Sequence, residues 1–97
     1  MNIYRAENTN VFGGRWIFAK SEKSAYEIGI ACGMVRDPRN LTITKEPEET
    51  FKNTDAKDIE VEGIGTLWAN KDGKGEWQVI NKNEIVKKSS SYNYSIC

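Results

Sequence analysis

Between residues 11 and 33 the sequence VFGGRWIFAKSEKSAYEIGIACG leaves the backbone few choices. Trp16, Ile17 and Phe18 stand between Gly13-Gly14 and Lys20, so residues 15–20 read as a strand buried on both faces. Ser21 stops that strand: its hydroxyl can accept from the backbone N–H of Ser24 or Lys23, and Glu22 sits where a helix dipole favours an anion. Ala25, Ile28 and Cys32 then share one helical face, and Gly33 stands where a left-handed C-terminal residue belongs. The spacing predicts one long helix over residues 21–32, packed back on a sheet. Gly29 costs that helix about 1 kcal/mol against alanine, which points to close approach by a strand or a ligand.

The chain has 97 residues, enough for one domain whose core must come from few large side chains. Three Trp, four Tyr and three Phe supply them. Basic and acidic side chains balance at 14 each, which argues against a nucleic-acid binder dominated by phosphate contacts and against an acidic DNA mimic. The balance is uneven along the chain: residues 1–45 carry +3, residues 46–62 carry −5 and residues 63–97 carry +2. There is no His, so a His-dependent triad, a His metal ligand and a His general base are excluded. Cys32 and Cys97 have no CxxC spacing; Cys32 reads as a small apolar helix residue, with a disulfide to the tail as the alternative. Neither a signal peptide nor a membrane-length apolar run stands out, since residues 1–7 are already polar and strand-like, and a host-cell cytosolic location is expected.

Along the chain, residues 2–7 form a first strand, with Ile3 and Arg5 on one face and Tyr4 and Ala6 on the other. Residues 8–14 are a polar loop. Asp37-Pro38 marks a turn, and residues 41–45 alternate as a strand. Residues 46–57 lack periodicity, hold most of the negative charge, and read as a loop or one irregular helical turn. Residues 58–69 are expected to form one strand bulged or bent at Gly63 and Gly65, paired antiparallel through an Asp-Gly turn in residues 70–75 with a strand at 76–81. Ile85 and Val86 add a short edge, and residues 87–97 read as a frayed tail, leaving residues 1–86 as the domain. The expected fold is α+β: one main helix on a largely antiparallel, bent sheet of about five strands.

Three pieces carry a resemblance. Ile3-Tyr4-Arg5-Ala6, residues 13–25 (GGRWIFAKSEKSA) and residues 76–85 (EWQVINKNEI) resemble, in order and direction, the motifs of the ADP-ribosyltransferase family. The resemblance implies a reduced split-sheet NAD scaffold. Glu76 would then hold the nicotinamide-ribose hydroxyl and stabilise an oxocarbenium-like state, Arg5 would bind pyrophosphate or ribose, and Ser21 or Ser24 would steady the nicotinamide. Lys74 stands where arginine-modifying members carry a second acid, and Ala6 where the family has glycine. A looser resemblance is to small phage-encoded anti-CRISPR inhibitors, single domains with one helix on a bent antiparallel sheet, some with a hairpin comparable to residues 66–79.

The residues alone admit plainer roles: Glu76 as a solvent-facing carboxylate and Arg5 as a surface arginine. Reactive side chains are scarce and charged turns plentiful, which favours a binding protein without a cofactor over an NAD enzyme. The expectation is a small phage- or mobile-element-type protein that blocks a host protein or ribonucleoprotein complex of a defence system. Direct sequence-specific nucleic-acid binding is not expected, nor is a membrane partner. Its interface would use the turn bearing Arg36 and Arg39, the acidic stretch with Glu46, Glu48 and Glu49, and the tip bearing Lys71 and Lys74.

Overall fold

The computed structural model describes residues 1–10, 13–52, 58–69, 77–81, 84–87 and 92–95. In chain order its elements are β1 (Asn2–Asn8), β2 (Gly14–Ala19), α1 (Glu22–Ala31), a 3₁₀ turn (Pro38–Asn40), β3 (Leu41–Glu46), α2 (Glu48–Lys52), β4 (Asp58–Val61), β5 (Gly65–Ala69), β6 (Trp77–Asn81), β7 (Glu84–Lys87) and β8 (Tyr92–Ser95). Six strands make one sheet in the order β3-β1-β2-β4-β5-β8, and β6 pairs with β7 separately. The fold is α+β, as expected, but the sheet is mixed, because β2 and β4 run parallel, with Ile17 beside Glu60 and Phe18 beside Val61. Parallel neighbours need a long crossover, and residues 20–57 provide it.

β2 is covered on both faces. Phe18 joins Ile3, Ile59, Val61 and Leu67 in a cluster closed by Phe51 of α2. Ile17 and Ala19, one residue out of phase, join Tyr4, Ala6 and Leu41 beneath Ala25 of α1. Phe51 meets Trp16 edge to face, ring centroids 5.3 Å apart.

The cap and the glycines of α1 are as the sequence predicts. The Ser24 N–H donates to Ser21 Oγ at 3.1 Å, and Gly33 ends the helix at φ 72°. Gly29 marks a close approach: a Cβ there would lie 2.9 Å from Leu41 Cδ2 on β3. In the acidic stretch, α2 is a short helix of 5 residues, within the single irregular turn expected.

Three expectations are corrected. Residues 58–69 are not one bent strand: β4 and β5 are themselves an antiparallel hairpin, Val61 opposite Gly65. Gly63 at φ 82° and Gly65 at φ 109° allow so tight a reversal, closed by the Ile64 N–H on the Val61 carbonyl at 3.0 Å. Residues 77–81 therefore do not pair with residues 58–69; they take β7 as β6. The edge of β5 goes instead to Tyr92–Ser95, which forms β8 where a frayed tail was expected. Third, Cys32 is disulfide-bonded rather than a reduced apolar helix residue; Cys97 lies outside the described residues.

Phe51 is fully buried and is what fastens α2 to the sheet. Phe51→Ala should cost about 3–5 kcal/mol in urea unfolding; a loss below about 1 kcal/mol would show that α2 does not close the cluster.

Candidate binding cleft

On the α1 face of the sheet, Arg15 and Ile17 alternate along β2, and the parallel register sets Glu60 beside Ile17. Thr66 lies directly opposite Glu60 across the β4–β5 hairpin. The three polar side chains therefore meet by strand geometry. The Arg15 guanidinium pairs with Glu60 Oε1. Thr66 Oγ1 donates to the same carboxylate, 2.8 Å from Oε2 and 3.1 Å from Oε1. Glu60 is only 2% exposed. A buried carboxylate is tolerated when paired and hydrogen-bonded, and both of its oxygens are engaged here.

Glu60 contributes to a cleft of about 310 Å³ between the C-terminal end of α1 and the β4–β5 turn. Its walls are largely apolar, from Ile28, Ala31, Val61 and Ile64, with Glu62 beside Glu60. Ile64, on the turn, is 40% exposed, the one large exposed hydrophobic side chain among the described residues. Glu62 is half-buried, and its Oε2 accepts from the Lys20 N–H at 3.3 Å. The cleft thus offers apolar contact surface beside a carboxylate that is already satisfied, an arrangement suited to docking rather than to proton transfer.

The residues expected to form a transferase site are distributed differently. Arg5 lies on the α2 face, its guanidinium carbon 5.2 Å from the centre of the Trp16 ring. Ser21 caps α1, which covers the opposite face, and its hydroxyl also lies 3.2 Å from that of Ser24. Both serine side chains are thus engaged in the helix start, and Arg5 is not brought to them. Glu76 lies outside the described residues.

Of the expected interface, Arg39 is committed within the chain. Its Nη2 donates to Asp37 Oδ2 at 2.7 Å and its Nε reaches both carboxylate oxygens at 3.1 Å. The Asp37 carboxylate also accepts the Arg39 backbone N–H at 3.0 Å, capping the 3₁₀ turn. Arg36 is exposed, Glu46 half-buried at the end of β3, and Glu48 and Glu49 exposed in the first turn of α2. Lys71 and Lys74 lie outside the described residues.

The Arg15–Glu60–Thr66 group was missed in the sequence. Its signal is a carboxylate between Ile59 and Val61, with an arginine one residue ahead of the aromatic strand; alternation alone assigns Glu60 to solvent. No family model matches the chain, and neither does a curated protein or a solved structure.

Three outcomes check the geometry of these polar groups. Thr66→Val should cost about 1.5–3 kcal/mol in chemical unfolding, because it strips a hydrogen bond from a buried charge. Arg15→Met should cost less than the ~3–5 kcal/mol of a fully buried pair, since the Arg15 side chain is 37% exposed. The third concerns pH. The Arg39 side chain first, and its backbone N–H second, hold the Asp37 carboxyl below its ordinary value. A depressed carboxyl stabilises the fold above the unfolded-state value and loses that contribution as pH falls through the folded one. Following Asp37 by NMR titration should show the low value in the wild type and a return toward the ordinary value in Arg39→Gln.

Proposed function

We propose that this protein works by binding another macromolecule rather than by transforming a substrate. We infer that it is a small phage- or mobile-element-type inhibitor of a host protein or ribonucleoprotein complex of a defence system, of the anti-CRISPR kind. The observation that carries the binding reading is Ile64, held out on a tight turn at the lip of an apolar cleft. Exposed apolar side chains on a rigid turn beside a concave apolar surface are what a recognition surface requires. The exposed Glu48 and Arg36 add charges of both signs on other parts of the surface, which favours a charged partner through encounter rate and orientation.

The NAD-dependent mono-ADP-ribosyltransferase reading has less support, since Arg5 and the two serines are engaged elsewhere. Calorimetry with millimolar NAD is its first test and NAD turnover its second: saturable binding, together with turnover that Glu76→Gln abolishes, would establish it in place of the binding reading.

No helix among the described residues is long and apolar enough to cross a membrane. We place the action in the host cytosol. Persistent disulfides are rare there, so the disulfide at Cys32 is the observation that weighs against this placement. Alkylation of protein captured from lysate, before any reductant is added, decides it: a blocked Cys32 thiol points to an oxidising compartment.

The central experiment captures partners from host lysate with the wild type, with Ile64→Asp and with Glu48→Lys/Glu49→Lys. Ile64→Asp should melt within about 0.5 kcal/mol of the wild type, and Glu48→Lys/Glu49→Lys, which places cations in the first turn of α2, should lose about 1 kcal/mol without unfolding. Ile64→Asp should weaken capture by about tenfold or more, as loss of an interface anchor does. Equal capture by all three proteins would remove the cleft and the acidic helix from the interface.

A further inference from the structure

β3 is an edge strand: among the described residues it pairs with β1 alone. The direction of its free backbone groups follows from two bonds at its start. The Thr9 N–H donates to the Asn40 carbonyl at 2.9 Å, and the Leu41 N–H turns away to the Pro38 carbonyl. In an antiparallel ladder these roles alternate. Thr42, Thr44 and Glu46 therefore face β1 with their backbone groups, whereas Ile43 and Lys45 turn theirs, and Leu41 its carbonyl, to the open side. An extended polypeptide matches such a row of alternating donors and acceptors group for group.

The side chains of the same three residues lie on the α1 face, since Ile43 is opposite Ala6 and Lys45 opposite Tyr4. Leu41 and Ile43 form one wall of a groove of about 470 Å³, and Glu22, Lys23 and Tyr26 of α1 form the other. Glu22 and Lys23 bring one charge of each sign to that wall. Lys45 continues the β3 row, exposed and without an ion pair among the described residues.

We propose that the edge of β3 and this groove take an extended peptide of a partner protein. It runs antiparallel to β3, with apolar side chains opposite Leu41 and Ile43 and a carboxylate opposite Lys45. Read from its N-terminus, the peptide has the pattern acid-x-apolar-x-apolar. Its two apolar side chains enter the groove, its backbone completes the ladder, and its acid neutralises Lys45. A second copy of β3 is a poorer occupant. Antiparallel self-pairing along the strand sets Lys45 against Leu41 or Ile43 of the copy, and an edge lysine is a device that discourages such pairing. This site is separate from the cleft at Ile64, so it stands or falls independently of that surface.

The test uses fluorescein-labelled peptides of nine residues containing Glu-Thr-Val-Thr-Leu between Gly-Ser flanks, titrated into the full-length protein by anisotropy. The peptide should bind saturably, and Lys in place of its Glu should weaken binding by about tenfold. N-methylation of its Val and Leu, which removes only donors that face β3, should weaken it by about tenfold or more. On the protein side, Ile43→Pro removes the outward N–H at a position where an edge strand tolerates proline; it should lose binding relative to Ile43→Ala. The amides of Ile43 and Lys45 should gain protection from hydrogen exchange when the peptide is added. Absence of saturable binding, or binding indifferent to N-methylation, would overturn the proposal. So would a dimer in sedimentation that Ile43→Pro dissociates, because the edge would then belong to a second copy.

Discussion

Everything in this fold follows from covering β2 on both faces. A strand reading Trp16-Ile17-Phe18-Ala19 has no side to give to water, so it needs a neighbour at each edge and a layer on each face. β1 supplies one neighbour antiparallel and β4 the other in parallel. The parallel pairing forces a long return path, and that path contains both layers, since α1 and α2 lie within it. A chain of 97 residues thus closes two small cores, one under Ala25 and one under Phe51, with a single crossover. Dividing the apolar residues in this way leaves each cluster thin, which is why Phe51 alone on its helix matters as much as it does.

The parallel pair of β2 and β4 overlaps by only two register positions, too few for ladder hydrogen bonds to fix the alignment. Glu60 supplies what the overlap lacks. A slip of one residue would turn Glu60, together with Thr66 across the β4–β5 hairpin, onto the Phe18 face and away from Arg15, and would bring Ile59 and Val61 to the face they now avoid. The slipped state pays for a buried carboxylate without its counter-charge, whereas the observed register gives it the Arg15 guanidinium. An apolar residue at position 60 could be as stabilising in the correct register; it would penalise the slipped one far less.

How much of this was legible depended on the range of the rule involved. Ser21, Glu22 and Gly33 act within a few residues of themselves, and the helix they specify stands where the sequence puts it. The two-sided burial of β2 was equally plain from its run of large side chains. Pairing was not. Gly63 and Gly65 were read as a bulge because an Asp-Gly turn followed nearby, but a glycine two residues after another serves a reversal as well, and only the partner strands decide. Glu60 was hidden for the same reason: alternation with Ile59 and Val61 marks it as solvent-facing, and the Arg15 that buries it comes from 45 residues earlier. The Arg39–Asp37 pair is local in the same sense, joining two residues of one turn.

What the fold leaves open is therefore narrower than its composition. Ser21, Arg5, Arg15, Glu60 and Arg39 are each occupied within the chain, so the polar groups best placed for chemistry are mostly holding elements in position. Among the features left open in the described residues are the outer edge of β3 and the apolar lip at Ile64. α1 connects them, because Glu22, Lys23 and Tyr26 near its start line the groove beside β3, while Ile28 and Ala31 near its end line the cleft. In the sheet, β3 and β5 are four strand spacings apart, about 19 Å. A protein–protein interface of ordinary size buries about 800 Å² on each partner, a patch wider than that distance. Both openings lie on the α1 side of the sheet, one near each end of that helix, and the close approach of Gly29 to Leu41 sets α1 against β3 between them.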